Sequence, residues 1–460
     1  MDSLREQTRF RQFRYGILPV LRKHTGIIVI LCISLVSHIL ALWSLGATYT
    51  LDSDDAAYII SGIRFLETGE VTMHDVISAQ ILPGMTWLIA LFALFLGTGT
   101  GLWLGLKLLW LVMGVATVLG VYKIVRLFAP SLFACLAAAF LLAPDFIWMD
   151  NLILTETPFM FCFVWLFYYS FRLAEEGRLR YFVILLFCFF TGFLMKPVLG
   201  IFPVFLIMYL LWKKYDIKRM GKQFVCAVLL MLVFLVPWTV RNYQIFDAFI
   251  PLTYGTGNPL LLGTYQGRGY PPDEELDLQG MVYNTLPEDI RINLGLDPEN
   301  PADLESQNSY PGHLRKYNEL EVDGMVAKYR MREWWNRDPV SMLESYFVRK
   351  PIIMLVHSFY WEPLAGIPRE LTFALRGIDL VLAALGFAGI LLNRRHRKEA
   401  VFVLVNYLFH VGLYSYTFAF SRYAQTLFFM RFILLGWGLY ELSCYLASRN
   451  KRPPSETEAV

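Results

Sequence analysis

The segment Thr50-Leu-Asp-Ser-Asp-Asp-Ala-Ala-Tyr58 follows the first long apolar stretch of the chain, residues 25–45. Three carboxylates, Asp52, Asp54 and Asp55, therefore lie where a membrane helix would leave the bilayer. Charged side chains are costly next to hydrocarbon, and those found there often serve a function. The segment is interpreted either as part of a functional site or as a solvated acidic loop, and the rest of the chain decides between the two.

Composition predicts an all-helical protein that crosses the membrane many times. Hydrophobic residues make up 56% of the 460 residues and charged residues only 17%. Apolar runs of about 20 residues recur, each long enough to cross the hydrocarbon as a helix. Backbone groups in lipid must be satisfied within the segment, which favours helices, and the alternation of a β-barrel is absent. The first run lacks a small-residue cleavage site behind it and is interpreted as an anchor. The six cysteines show neither a disulfide framework nor a C-x-x-C metal spacing.

Basic clusters orient the chain, because Lys and Arg in short loops favour the cytoplasmic side. These clusters are Arg5, Arg9, Arg11, Arg14, Arg22 and Lys23; Lys123 and Arg126; Arg172, Arg178 and Arg180; Lys213, Lys214, Lys218, Arg219 and Lys222; Arg394, Arg395, Arg397 and Lys398; and Arg449, Lys451 and Arg452. With all of them inside, about ten transmembrane helices are predicted, near residues 26–46, 102–128, 131–149, 153–174, 181–196, 197–212, 223–240, 371–393, 400–419 and 424–447.

Three further helices are predicted to lie at the outer interface rather than to cross. Ile81–Gly97 and Val340–Trp361 would break the alternation of basic clusters if they crossed. Asp55–Gly69 is amphipathic and ends at a glycine. A fourth helix, Lys316–Arg337, is predicted within the polar insert and ends at Asp338-Pro339.

These assignments divide the chain into five regions. They are a basic cytoplasmic N-terminus (1–25), a transmembrane module that carries most of the candidate functional residues (26–240) with an outer loop (47–101), an extracytoplasmic insert with interfacial helices (241–370), C-terminal transmembrane helices (371–447) and a cytoplasmic tail (448–460).

The predicted topology collects ionisable residues at the outer ends of the helices. A transporter would usually place such residues near the midplane of the membrane. The outer position instead favours chemistry at the interface on a charged, lipid-borne substrate. The residues are Asp52, Asp54, Asp55, His74, Asp75, Asp145, Asp150, Glu156, Lys196, Arg241 and Arg422. Of these, His74 is interpreted as an interface or structural residue.

Five motifs follow one another on this predicted face. They are Asp54-Asp55-Ala-Ala-Tyr58 with the helix from Leu82-Pro83 to Gly97, Thr155-Glu156-Thr-Pro158, Lys196-Pro197, Pro237-Trp-Thr-Val-Arg-Asn-Tyr243 with Pro251-Leu-Thr-Tyr-Gly-Thr-Gly-Asn258, and Ser421-Arg422-Tyr423. Together they resemble membrane glycosyltransferases of the type C fold. More specifically, the chain is similar to the protein-mannosyltransferase and aminoarabinose-transferase superfamily, which resembles glycosyltransferase family 39. The resemblance covers residues 26–447, with Asp-Asp where the family pattern has Asp-Glu.

The resemblance implies transfer of a sugar from a polyprenyl phosphate to an acceptor, with inversion at the anomeric carbon. Direct displacement of this kind needs one general base on the acceptor hydroxyl. The family's base corresponds to Asp54, and Asp55 would orient the acceptor or the sugar. For both residues helix capping is the structural alternative.

The leaving group of this reaction is an anionic phosphate, which cations must stabilise. Lys196, Arg241 and Arg422 are the candidates, and Arg can grip a phosphate with two parallel hydrogen bonds. The alternative for each is that it reaches out to lipid headgroups.

Three more residues are candidates for binding the sugar, the acceptor or a metal. Glu156 and Asp150 could accept hydrogen bonds from sugar hydroxyls, pair with the cations or hold a divalent metal. Tyr58 ends the first motif. The sequence assigns no cofactor, and a divalent metal at these carboxylates stays open.

The sequence thus predicts an inverting, polyprenyl-phosphate-sugar-dependent hexosyl- or pentosyltransferase. We expect it in the bacterial inner membrane, with its active site on the extracytoplasmic face. Its expected partners are the lipid-linked sugar, membrane lipids and a glycan, lipid or protein acceptor. No nucleotide fingerprint is present, and no nucleic acid is expected. The alternatives are a lipid or solute transporter, a cell-surface glycan polymerase or ligase, and a non-enzymatic scaffold.

Overall fold

The computed structural model describes residues 18–296, 311–393 and 395–449. The side chains of residues 18–23 and 449 are not among those described. The predictions made for the basic N-terminus, for Arg394 and for the tail after residue 449 therefore lie outside the described residues.

Helices make up nearly all of the regular structure, as predicted. In chain order they are α1 (Leu18–Leu45), α2 (Asp54–Thr68), α3 (Gly84–Leu96), α4 (Thr100–Arg126), α5 (Ser131–Ala139), α6 (Pro144–Met149), α7 (Glu156–Glu176), α8 (Leu179–Met195), α9 (Phe202–Trp212), α10 (Ile217–Phe246), α11 (Gly257–Gly263), α12 (Leu278–Met281), α13 (Glu288–Leu294), α14 (Gly312–Arg337), α15 (Pro339–Glu344), α16 (Lys350–Val356), α17 (Arg369–Asn393), α18 (Arg397–Tyr416), α19 (Ser421–Gln425) and α20 (Phe428–Arg449). Strands β1 (Thr72–Met73) and β2 (Val76–Ile77) form an antiparallel hairpin.

The protein is an integral, multi-pass membrane protein. Among the described residues, five helices are long and apolar enough to cross a membrane: His24–Leu45, Thr100–Arg126, Ile217–Phe246, Arg369–Asn393 and Ser421–Ser448. Shorter apolar helices cover Gly84–Leu96, Ser131–Leu142, Leu179–Met195 and Pro197–Trp212. The total of about ten spans stays a prediction.

Two predicted spans are not continuous helices. The segment predicted at 131–149 is broken at Ala143, whose ψ of 144° is extended. The residue before a proline avoids the helical conformation, and Pro144 opens the next helix. The segment predicted at 424–447 lies within the apolar stretch Ser421–Ser448, which has a turn at residues 426–427 between α19 and α20. The interfacial segment predicted to reach Trp361 ends at Val356.

The C-terminal helices α17 and α20 pack closely along each other. Gly386, Gly389 and Gly438 lie at the crossing, where a methyl group on Gly438 would overlap the Gly386 backbone. Small residues let helix backbones approach in membranes, where dispersion contacts drive association. This packing fixes the orientation of α20 and of the short α19 that precedes it.

The first outer loop is a compact unit made of α2, the hairpin and α3. Gly62 of α2 faces Ile89 of α3 with no room for a side chain. Ser61 and Thr86 share a buried hydrogen bond of 2.8 Å, and Ser61 Oγ also accepts from the Thr72 backbone N–H. The loop can therefore hold the start of α2, with Asp54, in a fixed place.

Candidate active site

Four charged side chains form a continuous ion-pair cluster. Arg422 donates from Nη1 to Asp54 Oδ2 at 2.9 Å and from Nε to Glu156 Oε1 at 2.7 Å. Lys196 Nζ donates to the same Glu156 oxygen at 2.6 Å. The structure thus brings together one predicted catalytic residue, two predicted phosphate-binding residues and one sugar or metal candidate. We call Asp54, Glu156, Lys196 and Arg422 the central cluster.

Helix ends position every member of the central cluster. Asp54 and Glu156 are the first residues of α2 and α7, where carboxylates interact favourably with the helix dipole. Lys196 lies in extended backbone between α8 and the proline that follows it. Arg422 belongs to α19, which begins right after the extended residue Phe420.

The central cluster is buried on one side and open at Asp54. The Glu156 side chain is fully buried, whereas 30% of the Asp54 side chain is exposed. Tyr423 packs on Lys196, with Nζ 4.6 Å from the ring centre. Burial raises the pKa of Tyr58, and the nearby negative charge of Asp54 raises it further. Tyr58 therefore stays a neutral hydroxyl beside the cluster.

Asp55 turns away from Asp54 and braces the loop. Its Oδ2 accepts from the Leu51 N–H at 2.7 Å, and its Oδ1 accepts from the N–H groups of Ser53 and Ala56 at 3.2 and 3.0 Å. Only 1% of the residue is exposed. Both oxygens thus serve backbone donors near the start of α2, which matches the structural alternative considered for this residue.

His74 is a neighbour of Asp54 that sequence reasoning did not select. It occupies the hairpin turn with a positive φ of 49°, and its Nε2 lies 3.5 Å from Asp54 Oδ1. A single His in a polar loop gives little signal on its own. Only the folding of the hairpin back along α2 brings it to the carboxylate.

Arg241 lies apart from the central cluster, at the base of the hairpin. Its guanidinium donates to the carbonyls of Ser78 and Val71 at 3.0 and 3.3 Å, and lies 3.4 Å from Glu70 Oε2. Its own neighbour Asn242 accepts a further hydrogen bond at 2.9 Å. Arg241 therefore contacts the chain just beyond the C-terminal end of α2, whereas Arg422 contacts the first residue of that helix.

The Pro237–Tyr243 motif ties the end of α10 to the loop that follows. Trp238 Nε1 donates to the Leu252 carbonyl at 2.7 Å, and the buried Asn242 donates to the Ile250 carbonyl at 2.9 Å. Tyr254 then pairs with Ser78 Oγ at 3.2 Å. These contacts hold Arg241 against the hairpin.

A large apolar cavity opens beside Arg241. Its volume is about 750 Å³, and it is lined by the end of α2 together with α3, α8 and α10. Phe65, Trp87, Phe187 and Phe234 are among its walls, and among the described residues that line it Arg241 is the one that carries a charge. The cavity thus combines a long apolar surface with a single cation.

Asp150 lies outside the central cluster. It accepts from Thr157 Oγ1 at 2.6 Å and pairs with His38 Nε2 at 3.0 Å, and all three residues are buried. The His38 ring also contacts the Ser34 carbonyl at 2.7 Å. This arrangement links α1 to the start of α7.

A second buried ion network lies between α6, α17 and α20, and sequence reasoning missed it. Arg376 Nη1 is 3.1 Å from Asp379 Oδ2 and its Nε is 3.7 Å from Asp145 Oδ2, while Arg431 Nη2 is 2.6 Å from Asp379 Oδ1. Gln425 of α19 donates to the Asp145 carbonyl at 2.8 Å. Since Arg376 and Asp379 lie within a span, the ionisable residues are not confined to helix ends as predicted.

The described residues contain no group of three or more His, Cys, Asp or Glu side chains that could hold a metal ion together. Within the central cluster, both carboxylates already accept from Arg422. The cluster as it stands is an ion-pair arrangement.

The comparisons with known proteins bear on this site. The family model described as dolichyl-phosphate-mannose-protein mannosyltransferase matches residues 82–240. The archaeal oligosaccharyltransferase AglB from Archaeoglobus fulgidus, in complex with an inhibitory peptide and a dolichol-phosphate, has a similar structure with a TM-score of 0.52 at 15% identity. The similarity covers 96% of this chain and 52% of that chain, so the chain spans about half the length of AglB. The chain has the type C fold of membrane glycosyltransferases.

Two structures of ArnT from Cupriavidus metallidurans are also similar. The apo structure has 14% identity and a TM-score of 0.40, over 91% of this chain and 78% of that chain. The structure bound to undecaprenyl phosphate has 12% identity and a TM-score of 0.41, over 94% and 82%. No curated protein matches the sequence significantly.

The superfamily predicted from the five motifs is confirmed. Family match and fold together indicate a membrane glycosyltransferase of type C. The matched segment contains Glu156, Lys196 and the first four residues of the fourth motif, Pro237-Trp-Thr-Val240, and it ends just before Arg241. Asp54 and Arg422 lie outside it, and the tertiary contacts of the type C fold join them to it.

Proposed function

We propose that this protein is an inverting glycosyltransferase that moves a sugar from a polyprenyl phosphate to an acceptor at the extracytoplasmic face. The observation that carries the proposal is the part-exposed Asp54 carboxylate, held by Arg422 beside the buried Glu156–Lys196 pair. In this arrangement the Asp54 carboxylate is accessible to solvent while its hydrogen bond to Arg422 holds it in place.

Asp54 is proposed as the general base. A base must reach the acceptor hydroxyl, and Asp54 is part-exposed, while Asp55 has both oxygens occupied by backbone donors. The Arg422 hydrogen bond fixes the orientation of the Asp54 carboxylate, and one of its oxygens faces His74. Asp55 is accordingly proposed as a positioning residue for the start of α2.

Arg241 is proposed to hold the donor phosphate, with the isoprenoid tail in the apolar cavity. Its ion pair with Glu70 is long at 3.4 Å, and its other acceptors are uncharged, so its charge is poorly compensated. By contrast, Lys196 and Arg422 each have a carboxylate within 3 Å. A phosphate at Arg241 would gain charge-assisted hydrogen bonds of fixed geometry.

The sugar of the donor would then bridge from Arg241 to the central cluster. Val71, which contacts Arg241, and His74, which contacts Asp54, are three residues apart along the hairpin. At about 3.3 Å per extended residue this is a separation of about 10 Å. Glu156 and Lys196 belong to the central cluster, Tyr58 lies near it, and all three are proposed to bind sugar hydroxyls.

The reaction proposed is a direct displacement. Asp54 takes the proton of the acceptor hydroxyl, whose oxygen forms a bond to the anomeric carbon. The bond from that carbon to the phosphate oxygen breaks on the opposite face, so the configuration inverts. The leaving polyprenyl phosphate carries the electron pair away as an anion, and cations at the site stabilise its charge.

The insert over residues 241–370 is proposed to frame the acceptor, a glycan, lipid or protein. Its helix α11 packs on α14, where Gly257 lies against the Leu320 carbonyl with no room for a side chain. The proposed setting is the bacterial inner membrane, in line with the predicted orientation of the basic clusters. No metal is assigned a step.

The proposal is tested by measuring polyprenyl-linked sugars in cells that lack the protein. We expect one lipid-linked sugar to accumulate and one surface glycan, lipid or protein to lose that sugar, as seen by mass spectrometry. Wild-type protein should reverse both changes, and Asp54→Asn should reverse neither. Full reversal by Asp54→Asn at equal membrane levels would point to a scaffold or transporter and overturn the proposal.

A further inference from the structure

A basic cavity lies at the opposite end of the helices from the central cluster. It has a volume of about 490 Å³ and is lined by Trp212, Lys213, Arg395, Arg397, Lys398 and Glu399. Four of these six residues are cations and one is a carboxylate. Lys213 Nζ already pairs with Glu399 Oε1 at 2.7 Å, which leaves three cations around the cavity without a carboxylate partner of their own among its lining residues.

The packing of two helix ends builds this cavity. Trp212 ends α9, and Arg397 begins α18. Lys398 Nζ donates to the Trp212 carbonyl at 2.8 Å, and Tyr209 stacks on Phe402 with ring centres 4.6 Å apart. Lys213, Arg397 and Lys398 are therefore held at the ends of packed helices, and Arg395 lies in the turn just before α18.

An apolar groove continues from the basic cavity between the same two helices. It has a volume of about 290 Å³ and is lined by Phe205, Met208, Tyr209, Trp212, Val401, Phe402 and Val405. Trp212 lines both spaces, so the groove begins where the basic cavity ends. Several of its walls, among them Met208 and Val405, are exposed at the outside of the helix bundle.

The start of α18 adds to the attraction for an anion. His396, which precedes the helix, makes no capping hydrogen bond with its side chain. The first N–H groups of a helix lack partners within it, and the helix dipole there favours negative charge. The basic cavity and the N-terminus of α18 favour an anion, and the apolar groove favours an apolar chain. Together they favour an anionic ligand with an apolar tail.

We propose that this cavity and groove form a binding site for an anionic phospholipid of the cytoplasmic leaflet. Its phosphate headgroup would occupy the basic cavity, and an acyl chain would lie in the groove between α9 and α18. The predicted topology puts this end of the helices at the cytoplasmic surface, where anionic lipids attract basic residues. A soluble phosphate would leave the groove unused, and a zwitterionic lipid would leave the excess positive charge unmatched.

Native mass spectrometry of the detergent-solubilised full chain tests the site, with phosphatidylglycerol and phosphatidylcholine as probes. We expect one phosphatidylglycerol to bind in clear preference to phosphatidylcholine. Replacing the three cations together (Arg395→Gln, Arg397→Gln and Lys398→Gln) should weaken that binding on the order of a hundredfold, since each basic residue at an anionic surface contributes about fivefold.

The matched control removes the same charge from the same predicted side of the membrane. Lys214, Lys218 and Lys222 are exposed and do not line the cavity, so changing all three to Gln should leave phosphatidylglycerol binding unchanged. An equal loss in this control would show non-specific attraction and overturn the proposal. If the triple cavity variant is poorly folded, Arg395→Gln alone, at an exposed position, should still weaken binding.

Two further experiments distinguish a phospholipid from a free phosphate and from an isoprenoid phosphate. Val405→Trp, which fills the groove at an exposed position, should weaken phosphatidylglycerol binding and leave the protein folded. Competition by inorganic phosphate as effective as that by the lipid would mean a free-anion site. Binding of undecaprenyl phosphate without phosphatidylglycerol would mean a site for the isoprenoid carrier. Either result would overturn the assignment to a phospholipid.

Discussion

Arg422 donates a 2.9 Å hydrogen bond to Asp54, although 368 residues separate the two in the chain. The same guanidinium reaches Glu156 at 2.7 Å. One side chain near the C-terminus thus fixes the carboxylate at the start of α2 and the carboxylate at the start of α7. The central cluster therefore depends on the docking of α19 against the first outer loop.

Replacing Asp54 by Asn should abolish most of the transfer activity. Asn keeps an oxygen for Arg422 but cannot take a proton, and loss of a general base typically costs about 10² to 10⁴ in rate. Transfer would be measured with purified protein and the lipid-linked sugar identified in the deletion strain. The control is Asp52→Asn, an exposed position two residues away, which should keep normal turnover. Wild-type turnover of Asp54→Asn would exclude it as the base.

Replacing Asp55 by Ala should lower the thermal stability of the protein more than it lowers the rate of sugar transfer. Three backbone N–H groups, of Leu51, Ser53 and Ala56, lose their acceptor. A buried donor left unpaired costs on the order of 1–3 kcal/mol, and these three are only partly buried, so we expect less than that for each. We expect a lower midpoint of thermal unfolding in detergent. A variant as stable as wild type but without transfer activity would instead return Asp55 to a direct role in the reaction.

Arg241→Ala should weaken donor binding, and Arg241→Lys should restore only part of it. Lys keeps the charge but not the planar fork that Arg offers to a phosphate. Loss of a charged hydrogen bond worth about 1.5–3 kcal/mol weakens affinity about 10- to 100-fold. The affinity for polyprenyl phosphate would be measured for both variants and for Arg332→Ala, an exposed arginine of α14. Wild-type affinity in Arg241→Lys would show that a positive charge is enough, and would contradict a grip on the phosphate by two hydrogen bonds.

The predicted topology is tested by cysteine labelling. Asn284 lies in the insert and Arg395 in the basic cavity, and both are exposed. Single cysteines at these positions should react with a membrane-impermeant reagent from opposite sides of the membrane. Labelling of both from the same side would refute the topology and with it the cytoplasmic assignment of the basic cavity.

Lys350 should make stability depend on pH. Its ammonium is buried, packs 3.5 Å from the centre of the Tyr346 ring and has no hydrogen-bond partner among the described residues. Burial lowers the pKa of Lys350 from 10.5 to about 7. Between these two values the unfolded state binds more protons, so stability rises with pH across that window.

Lys350→Met should therefore raise the midpoint of thermal unfolding more at pH 6 than at pH 9. At pH 6 the wild-type protein must bury a charged ammonium, and at pH 9 a neutral amine. The control is Lys328→Met, at an exposed position of α14, which should show no such difference. An equal gain at both pH values would mean that the charge of Lys350 is compensated.

Short-range patterns in the sequence determined the fold class and most helices. Hydropathy and helical periodicity depend on neighbouring residues, so α2, α3 and α14 lie within a few residues of their predicted bounds. The motifs also determined the superfamily. Pro144 is the sequence signal for the helix break at Ala143. The prediction missed it because the apolar run on both sides of Pro144 is nearly continuous.

Only the tertiary structure decided which charges meet. Asp54 and Asp55 are adjacent in sequence and look equivalent there. In the structure the Asp54 carboxylate is part-exposed, whereas the Asp55 carboxylate accepts hydrogen bonds from backbone N–H groups. The sequence placed Arg241 and Arg422 on one membrane face but could not separate them. Ion pairs between distant segments depend on how whole helices pack, and no local pattern records that packing.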